Sequence, residues 1–359
     1  MAKILAFDTS CDDTSAAVVD DHFILSNVVS SQISLHQPYG GVFPTVAKLA
    51  HRDNIVPVTQ LALKRARLEP DQLDAVGVTI GPGLAPALEI GVNYAKQFAA
   101  TYHLPLVSVN HIEGHLLSPL LAPNVKSEKI PLPEHFPYPH TLGIIVSGGH
   151  SQFVKILDYG HYQTLGETLD DAAGEALDKI GRMLGLGYPA APVIEELAKS
   201  GDPTRFPFPL PLTSRHDFDL SFSGLKTHAL HLVQTLEKDG LMSQADLANA
   251  AASSQFAVFR HLLYKFDKLV QSPSTFDNGY TQNVFLGGGV SANLYLRKLL
   301  RTLGQRRHFR LYTPKTKQLC GDNAAMIALV AHLKYQRGQT AIAAEFDRTP
   351  DLILDSWNK

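Results

Sequence analysis

Two imidazoles stand four residues apart in His111-Ile112-Glu113-Gly114-His115. On a helix, that spacing puts both rings on one face, within reach of a single metal ion. A His pair so spaced is more often a coincidence than a ligand pair, and other residues must carry the argument. The segment has neither the H-E-x-x-H order of zincins nor the H-x-x-E-H order of inverzincins. Glu113 lies two residues from each His, points to the far side of a helix and cannot serve a water held between the rings. Cys320-Gly321-Asp322-Asn323-Ala324-Ala325 reads as a helix start. Asp322 there is either its N-cap or a hard oxygen ligand that would complete a metal site with positions left open for substrate. Asp171, Glu175 and Asp178 recur at i, i+4 and i+7 of the stretch Asp170 to Lys179. Capping by Asp170 or Asp171 and a solvated acidic face explain them without a ligand. The accompanying Ala172, Ala173, Gly174 and Ala176 leave room for a ligand or another backbone, which would let Asp178 bind hydroxyls.

These groups need a scaffold, and the chain repeats one. Four apolar runs end in small or polar residues: Ile4 to Phe7 into Asp8-Thr9-Ser10, Ala75 to Ile80 into Gly81-Pro82-Gly83, Leu142 to Val146 into Ser147-Gly148-Gly149-His150, and Val284 to Leu286 into Gly287-Gly288-Gly289. Each predicts a buried strand running into a tight turn whose backbone N–H groups can hold phosphate. Helical stretches at 45–67, 86–100 and 246–271 alternate with them, which predicts an α/β architecture with a nucleotide-sized cleft. The echo of strand, turn and helix in the two halves predicts duplicated lobes. The expected division is an N-terminal lobe of 1–110, rejoined by a helix at about 322–345, and a C-terminal lobe of 111–321. A Pro-rich connector is expected at 123–140, and Pro207, Pro209 and Pro211 mark a second extended loop.

The 359 residues are 45% hydrophobic and 18% charged, ordinary globular usage that suffices for two lobes with separate cores. Two cysteines, Cys11 and Cys320, make no disulfide framework and fit a reducing compartment. A strand from Lys3 onward predicts no leader, and no apolar run nears the roughly 18 residues needed to span a bilayer. A cytoplasmic protein with no membrane partner is therefore expected. A net charge of −2 gives no global attraction to nucleic acid. RNA contact would use local patches, the densest being Arg297, Lys298, Arg301, Arg306, Arg307 and Arg310.

Together the motifs resemble one family. Asp8 to Thr14, Asn110 to His115, Val146 to His150, Asp170 to Lys179, Ser221 to Thr227, Gly288 to Asn293 and Asp322-Asn323 stand in the order found in the bacterial TsaD branch of the universal threonylcarbamoyl-adenosine synthesis family. The resemblance runs from about Lys3 to Gly338. It implies a bilobal actin/hexokinase/Hsp70-like (ASKHA) fold with duplicated lobes around a nucleotide cleft. The implied reaction moves threonylcarbamoyl from threonylcarbamoyl-adenylate to N6 of adenosine 37 in tRNAs reading codons that begin with A, releasing AMP. The resemblance also implies that His111, His115 and Asp322 hold one Fe(II) or Zn(II) ion. Ile145, Val146, Ser147, Gly148 and Gly149 would line the adenylate and threonylcarbamoyl site, Asp178 would bind ribose hydroxyls, Ala191 and Asn293 would lie at the nucleotide, and Asp12 would be the acidic residue important for activity. Implied partners are tRNA, a TsaB-like paralogous protein at the N-terminal lobe and a TsaE-like ATPase. The chain departs from the family at Asp8 and Asp13, where Glu is usual, at Ala190-Ala191, where Gly-Gly is usual, and at Pro86 and Glu89, where small apolar residues are usual.

The residue types suit that chemistry. The lone pair of an adenine N6 amine is delocalised into the ring, so the carbamoyl carbon has to be made strongly electrophilic, which a Lewis-acidic metal and turn N–H groups can do. Asp12 is the residue expected to take the amine proton, provided its surroundings desolvate it. A small-molecule kinase on the same fold would leave both His unexplained, because Mg²⁺ prefers oxygen ligands. A metalloprotease would lack its base, and a silent nucleotide-binding scaffold would leave the ligands without use.

Overall fold

The computed structural model describes residues 2–123, 140–238, 240, 242–273, 275, 281–341 and 347–354. The connector expected at 123–140 lies almost wholly outside them. The chain divides into two units, one made of 1–138, 158–162 and 313–359, the other of 139–157 and 163–312.

The first unit holds β1 (Lys3–Asp8), β2 (Asp13–Asp20), β3 (Phe23–Ser31), β4 (Ala75–Gly81) and β5 (Leu106–Asn110), in the order β3-β2-β1-β4-β5. β1 runs antiparallel to β2, with Asp8 opposite Ser15, and parallel to β4, which in turn runs parallel to β5. Ile4 to Phe7 are fully buried. Such an uninterrupted apolar run belongs to a strand covered on both faces. On one face Leu5, Phe7, Val76 and Val78 join Val58, Ala62, Val92 and Phe98 of helices Pro44–Ala66 and Ala85–Tyr102 in one core. On the other, helix Ala324–Gln336 lies against β1, β2, β4 and β5. Gly77 admits it so closely that a Cβ there would come within 2.6 Å of the Ala331 methyl. Each large apolar side chain buried here contributes about 1.5–3 kcal/mol.

The second unit repeats the plan with β6 (Thr141–Val146), β7 (Ser151–Asp158), β8 (His161–Glu167), β9 (Asn283–Gly287) and β10 (Arg310–Tyr312), in the order β10-β9-β6-β7-β8. Taken outward from β1 and from β6 the two orders are the same, and both sheets are mixed, since β6 is antiparallel to β7 and parallel to β9. This is the duplicated two-lobed α/β fold that the repeated strands and turns predict. The grouping differs from the expected division at 110/111. Helix His111–Leu117 stays with the first unit because Gly114 packs on Met326 and Ile327, at 3.0 Å from each for an added Cβ. Helix Ala324–Gln336 also belongs to the first unit.

Asp170 and Asp171 do not cap the helix that follows them. That helix, Ala173–Met183, has Ala172 in the N-cap position and no side-chain cap. Asp170 instead accepts from Ser221 Oγ (2.5 Å), Phe222 N (2.7 Å), Ser223 Oγ (2.8 Å) and Ser223 N (3.2 Å), holding the start of helix Ser223–Lys238. Burial opposes its charge, but these bonds outweigh it and lower the Asp170 pKa. Ser221 N also donates to Nε2 of buried His261 at 3.1 Å. Burial, then the Lys265 charge, push His261 down to about 4. A base depressed in the folded state contributes stability above its unfolded pKa near 6.5 and loses it as pH falls toward 4. In urea unfolding, the unaltered chain should therefore lose about 2 kcal/mol between pH 7 and pH 4.5 that a His261→Gln variant does not lose. Equal losses in both would remove His261 as the cause.

Candidate metal centre

Asn110 ends β5 and starts the His helix, its Oδ1 accepting from Ile112 N (2.8 Å) and Glu113 N (3.3 Å). The helix opened by that cap carries both rings on one face, with centroids 4.6 Å apart. Asn323, not Asp322, is the N-cap of helix Ala324–Gln336, its Oδ1 accepting from Met326 N at 3.3 Å. Asp322 is thereby left free to reach the rings. Its Oδ1 lies 3.1 Å from His115 Nε2 and 3.5 Å from His111 Nε2. Three atoms around a metal at about 2.1 Å stand about 3 to 3.5 Å from one another. Two of the three separations meet that spacing and all three donor atoms lie within 4.8 Å of one another, so the set can close on one ion, and two imidazoles with a carboxylate suit a transition metal better than Mg²⁺. The Asp322 side chain remains 23% exposed, so ligand positions stay reachable while both rings are buried.

One contributor escaped the sequence reading. Asp8, at the end of β1, places Oδ2 3.3 Å from His111 Nδ1. A carboxylate behind a metal-binding His favours the tautomer with its proton on Nδ1 and the Nε2 lone pair turned to the metal. The surroundings are arranged for positive charge. Burial alone would lower His111, but the Asp8 and Asp322 carboxylates reverse that and raise it to about 10. Burial and the His111 charge lower His115. Asp322 is held well below the usual carboxylate range by His111 and His115, against the effect of its own burial. Glu113 points away, as its spacing predicts. It is fully buried and accepts from Tyr162 Oη at 2.6 Å, which anchors the helix and leaves it no role as a base.

Asp12 lies in the turn between β1 and β2, in the same unit as the His pair. Burial, then the Asp322 charge, raise its pKa. Asp13 is pushed up to about 7 by the same two causes, but it is already in β2 with Oδ1 enclosed. The departure at Glu89 is an ion pair with Lys48 at 3.0 Å, and Pro86 sits in the first turn of its helix, where no N–H is missed.

The other expected site residues lie in the second unit. Ile145 and Val146 are fully buried within β6, and Ile145 is flanked by Gln152 and Gly287 in the ladders, so the open part of the turn begins at Gly148. Ser147 Oγ accepts from Gly149 N (3.3 Å) and His150 N (3.0 Å), which uses two of the N–H groups expected to face phosphate. Gly148 and Gly149 have open space where a Cβ would stand. Gly174 answers to the backbone rather than to a ligand: its N donates to Ser147 O at 3.2 Å, and a Cβ would come within 2.6 Å of that oxygen. Asp178 Oδ1 accepts from Ala190 N (2.8 Å) and Ala191 N (2.7 Å), holding the start of helix Ala191–Ala198. The Ala190 methyl is fully buried against Gly181 and adds nothing to a ligand surface, whereas Ala191 is half-buried. Asn293 caps helix Leu294–Arg307 through Leu296 N (3.0 Å) and donates to Gln255 Oε1 (2.7 Å).

Comparison with known proteins adds independent weight. A family profile described as "TsaD: tRNA N6-adenosine threonylcarbamoyltransferase" matches residues 23–329. The chain is 42% identical over 347 residues to a Cyanothece protein named tRNA N6-adenosine threonylcarbamoyltransferase, covering 95% of this chain and 94% of that one. It is 39% identical over 339 residues to a Thermosipho africanus protein of the same name, covering 93% and 95%. Component A of (R)-2-hydroxyglutaryl-CoA dehydratase from Acidaminococcus fermentans matches 94% of this chain and 100% of its own, with a TM-score of 0.53 and 14% identity, a likeness of fold alone. No described helix is long and apolar enough to cross a membrane.

Proposed function

The chain belongs to the tRNA N6-adenosine threonylcarbamoyltransferase family, and from that premise we propose that its transfer reaction is carried out at His111, His115 and Asp322. The activity is transfer of a threonylcarbamoyl group to N6 of an adenosine in tRNA; a kinase assignment is not favoured. The acceptor is adenosine 37 of tRNAs reading codons that begin with A, and the donor is threonylcarbamoyl-adenylate. The observation that supports this most is the meeting of one ring nitrogen from each of His111 and His115 with an Asp322 oxygen, all within 4.8 Å of one another, in a chain that matches the family over 23–329.

When bound there, Fe(II) or Zn(II) would supply Lewis acidity toward carbonyl and phosphate oxygens of the donor. The chain's residues do the rest. Asp8 keeps the His111 Nε2 lone pair turned inward, and Glu113 with Tyr162 keeps the helix seated. Asp12 takes the proton from the N6 amine as the new N–C bond forms, and AMP leaves with little acid assistance. In the second unit, Ser147, Gly148 and Gly149 offer a turn for the adenylate. Asp178 offers its second oxygen to ribose, Ala191 lies beside the nucleotide, and Asn293 holds the helix start that faces it. Ile145 and Val146 act by placing that turn. Nucleoside analysis of tRNA incubated with this chain, threonine, bicarbonate, ATP and companion proteins tests the reading. An unmodified adenosine in that complete mixture would sink it.

The partners are tRNA, a TsaB-like paralogue at the first unit and a TsaE-like ATPase, and the protein works in the cytoplasm. Net charge is −2, and among the basic residues of the densest patch Arg306 and Arg307 pair with Asp267 while Arg297 donates to the Ser291 carbonyl. Asp267 offsets only one of the patch's six positive charges, so the case against tRNA binding by this chain alone rests on the overall charge of −2, which gives phosphate no long-range attraction. Helix Pro44–Ala66 exposes Leu49 and Val56, and Tyr39 stacks on exposed Phe43 nearby in the chain, an apolar surface suited to a protein partner. Purified chain with preformed threonylcarbamoyl-adenylate should therefore modify less than about one tRNA per enzyme. Sustained turnover with no other protein present would show that the partners are dispensable.

A further inference from the structure

Three successive carbonyl groups around Asp12 are held by three different elements of the first unit. Ser10 O accepts from Leu84 N at 2.8 Å, and Asp12 O accepts from Gln32 N at 3.0 Å. Between them, Cys11 O lies 3.0 Å from Nε2 of His51, a fully buried residue of helix Pro44–Ala66. Only this middle tie comes from a side chain.

Its proton arrangement follows from the partners. A carbonyl oxygen only accepts, so the proton is on Nε2 and Nδ1 is left as acceptor. Thr14 Oγ1 stands 2.8 Å from that Nδ1 and Gln32 Nε2 stands 3.2 Å from it. Gln32 Oε1 faces His36 Nε2 at 3.2 Å, and His36 Nδ1 accepts from Phe43 N at 3.3 Å. One assignment accounts for the contacts: Phe43 N–H donates to His36, His36 Nε2–H to Gln32 Oε1, Gln32 Nε2–H to Thr14 Oγ1 at 3.4 Å, the Thr14 hydroxyl to the single lone pair of His51 Nδ1, and His51 Nε2–H to the Cys11 carbonyl. A fully satisfied buried chain of this kind is rigid, and its members polarise one another in one direction. Burial lowers the His51 pKa, which favours the neutral ring this arrangement requires. Packing alone would be served as well by an apolar ring, without the cost of burying imidazole nitrogens.

We propose that His51 is a positioning residue for the transfer reaction, its Nε2–H holding the Cys11 carbonyl and with it the peptide that aims the Asp12 carboxylate. The inference rests on the role assigned to Asp12 above. With this tie removed, the segment between the Ser10 and Asp12 anchors can pivot. A displacement on the order of 1 Å in a group that must meet a proton costs up to about a hundredfold in rate.

The test compares His51→Phe, which keeps a ring but has no donor, with His51→Gln, whose amide can reach the same carbonyl. In the complete reconstituted reaction, His51→Phe should lower kcat about 10- to 100-fold while KM for tRNA and bound metal stay within about twofold, and His51→Gln should recover kcat to within about fivefold of the unaltered chain. Overturning results are a kcat for the Phe variant within about twofold of the original, a loss that falls on KM or metal instead, or no recovery with Gln. A second readout does not depend on turnover: the Asp12 13Cγ resonance should move in His51→Phe and return in His51→Gln. An unmoved resonance defeats the inference whether or not the chain modifies tRNA. Should His51→Phe fail to fold, Thr14→Val removes only the hydroxyl facing Nδ1. It should lower kcat about three- to tenfold and move the same resonance, and no change in either overturns the proposal.

Discussion

Replacing His111 and His115 together by Ala should strip the chain of bound metal and lower transfer by more than about a thousandfold while the protein stays folded. Two of the three converging donors are lost, and a lone carboxylate does not retain Fe(II) or Zn(II) against solvent. The helix should survive because its anchors are elsewhere: the Asn110 cap, the Glu113 bond to Tyr162 and the packing of Gly114 on Met326 and Ile327. Some destabilisation is expected, on the order of 2–4 kcal/mol, from the cavity at buried His115 and from Asp8 and Asp322 losing the His111 charge between them. Elemental analysis of the purified variant, with circular dichroism as the folding control, decides the matter. Full metal occupancy in the folded double variant would refute the ligand assignment. Each single variant should show partial loss of metal and near-complete loss of transfer, because an ion held by two donors has lost the geometry that places it.

How far the sequence could be read depended on whether the cause was local. The strands β1, β4, β6 and β9 were legible as apolar runs ending in turns, because a strand covered on both faces has no alternation to hide it. The His pair was legible as a spacing. Its third member was not, since Asp322 meets His115 across 207 residues of chain and no periodicity links them. Local reasoning left Asp322 as either a helix cap, a role that Asn323 fills, or a third ligand, and the resemblance decided for the ligand. Asp8 behind His111 was invisible for the same reason. The acidic residues at 170–178 look like one face on paper, but they separate in space: Asp170 holds Ser221 to Ser223, Asp171 pairs with Lys179 and Lys226, and Asp178 holds Ala190 and Ala191. Remote N–H groups at helix starts attract carboxylates as strongly as a helix's own first turn does, and sequence spacing cannot tell which will win. The packing of the Ala190 methyl was not legible either, because the space made for it, at Gly181, belongs to a different helix.

Asp12→Asn should lower kcat by about a hundredfold to ten-thousandfold, with KM and bound metal nearly unchanged. The substitution keeps shape and removes the ability to accept a proton. An ordinary aspartate with a pKa near 3.9 is a weak base, and what alters Asp12 is mainly burial, reinforced by the Asp322 charge. A bound cation would offset the second cause but not the first, so the carboxylate remains a stronger base than a solvated one. Asp13 is the competing group, since its carboxyl is pushed up to about 7. It stands in β2 opposite Ser31 with Oδ1 enclosed, a place suited to stabilising the strand end rather than meeting substrate. Asp13→Asn should therefore cost kcat less than about tenfold, and Asp12→Glu should retain more activity than Asp12→Asn because it restores a carboxylate at an altered reach. If the ranking is reversed, with Asp12→Asn within about threefold of the unaltered chain and Asp13→Asn inactive but folded and metal-loaded, the proton acceptor is Asp13. The His51 proposal, which rests on the role of Asp12, would fall with that role.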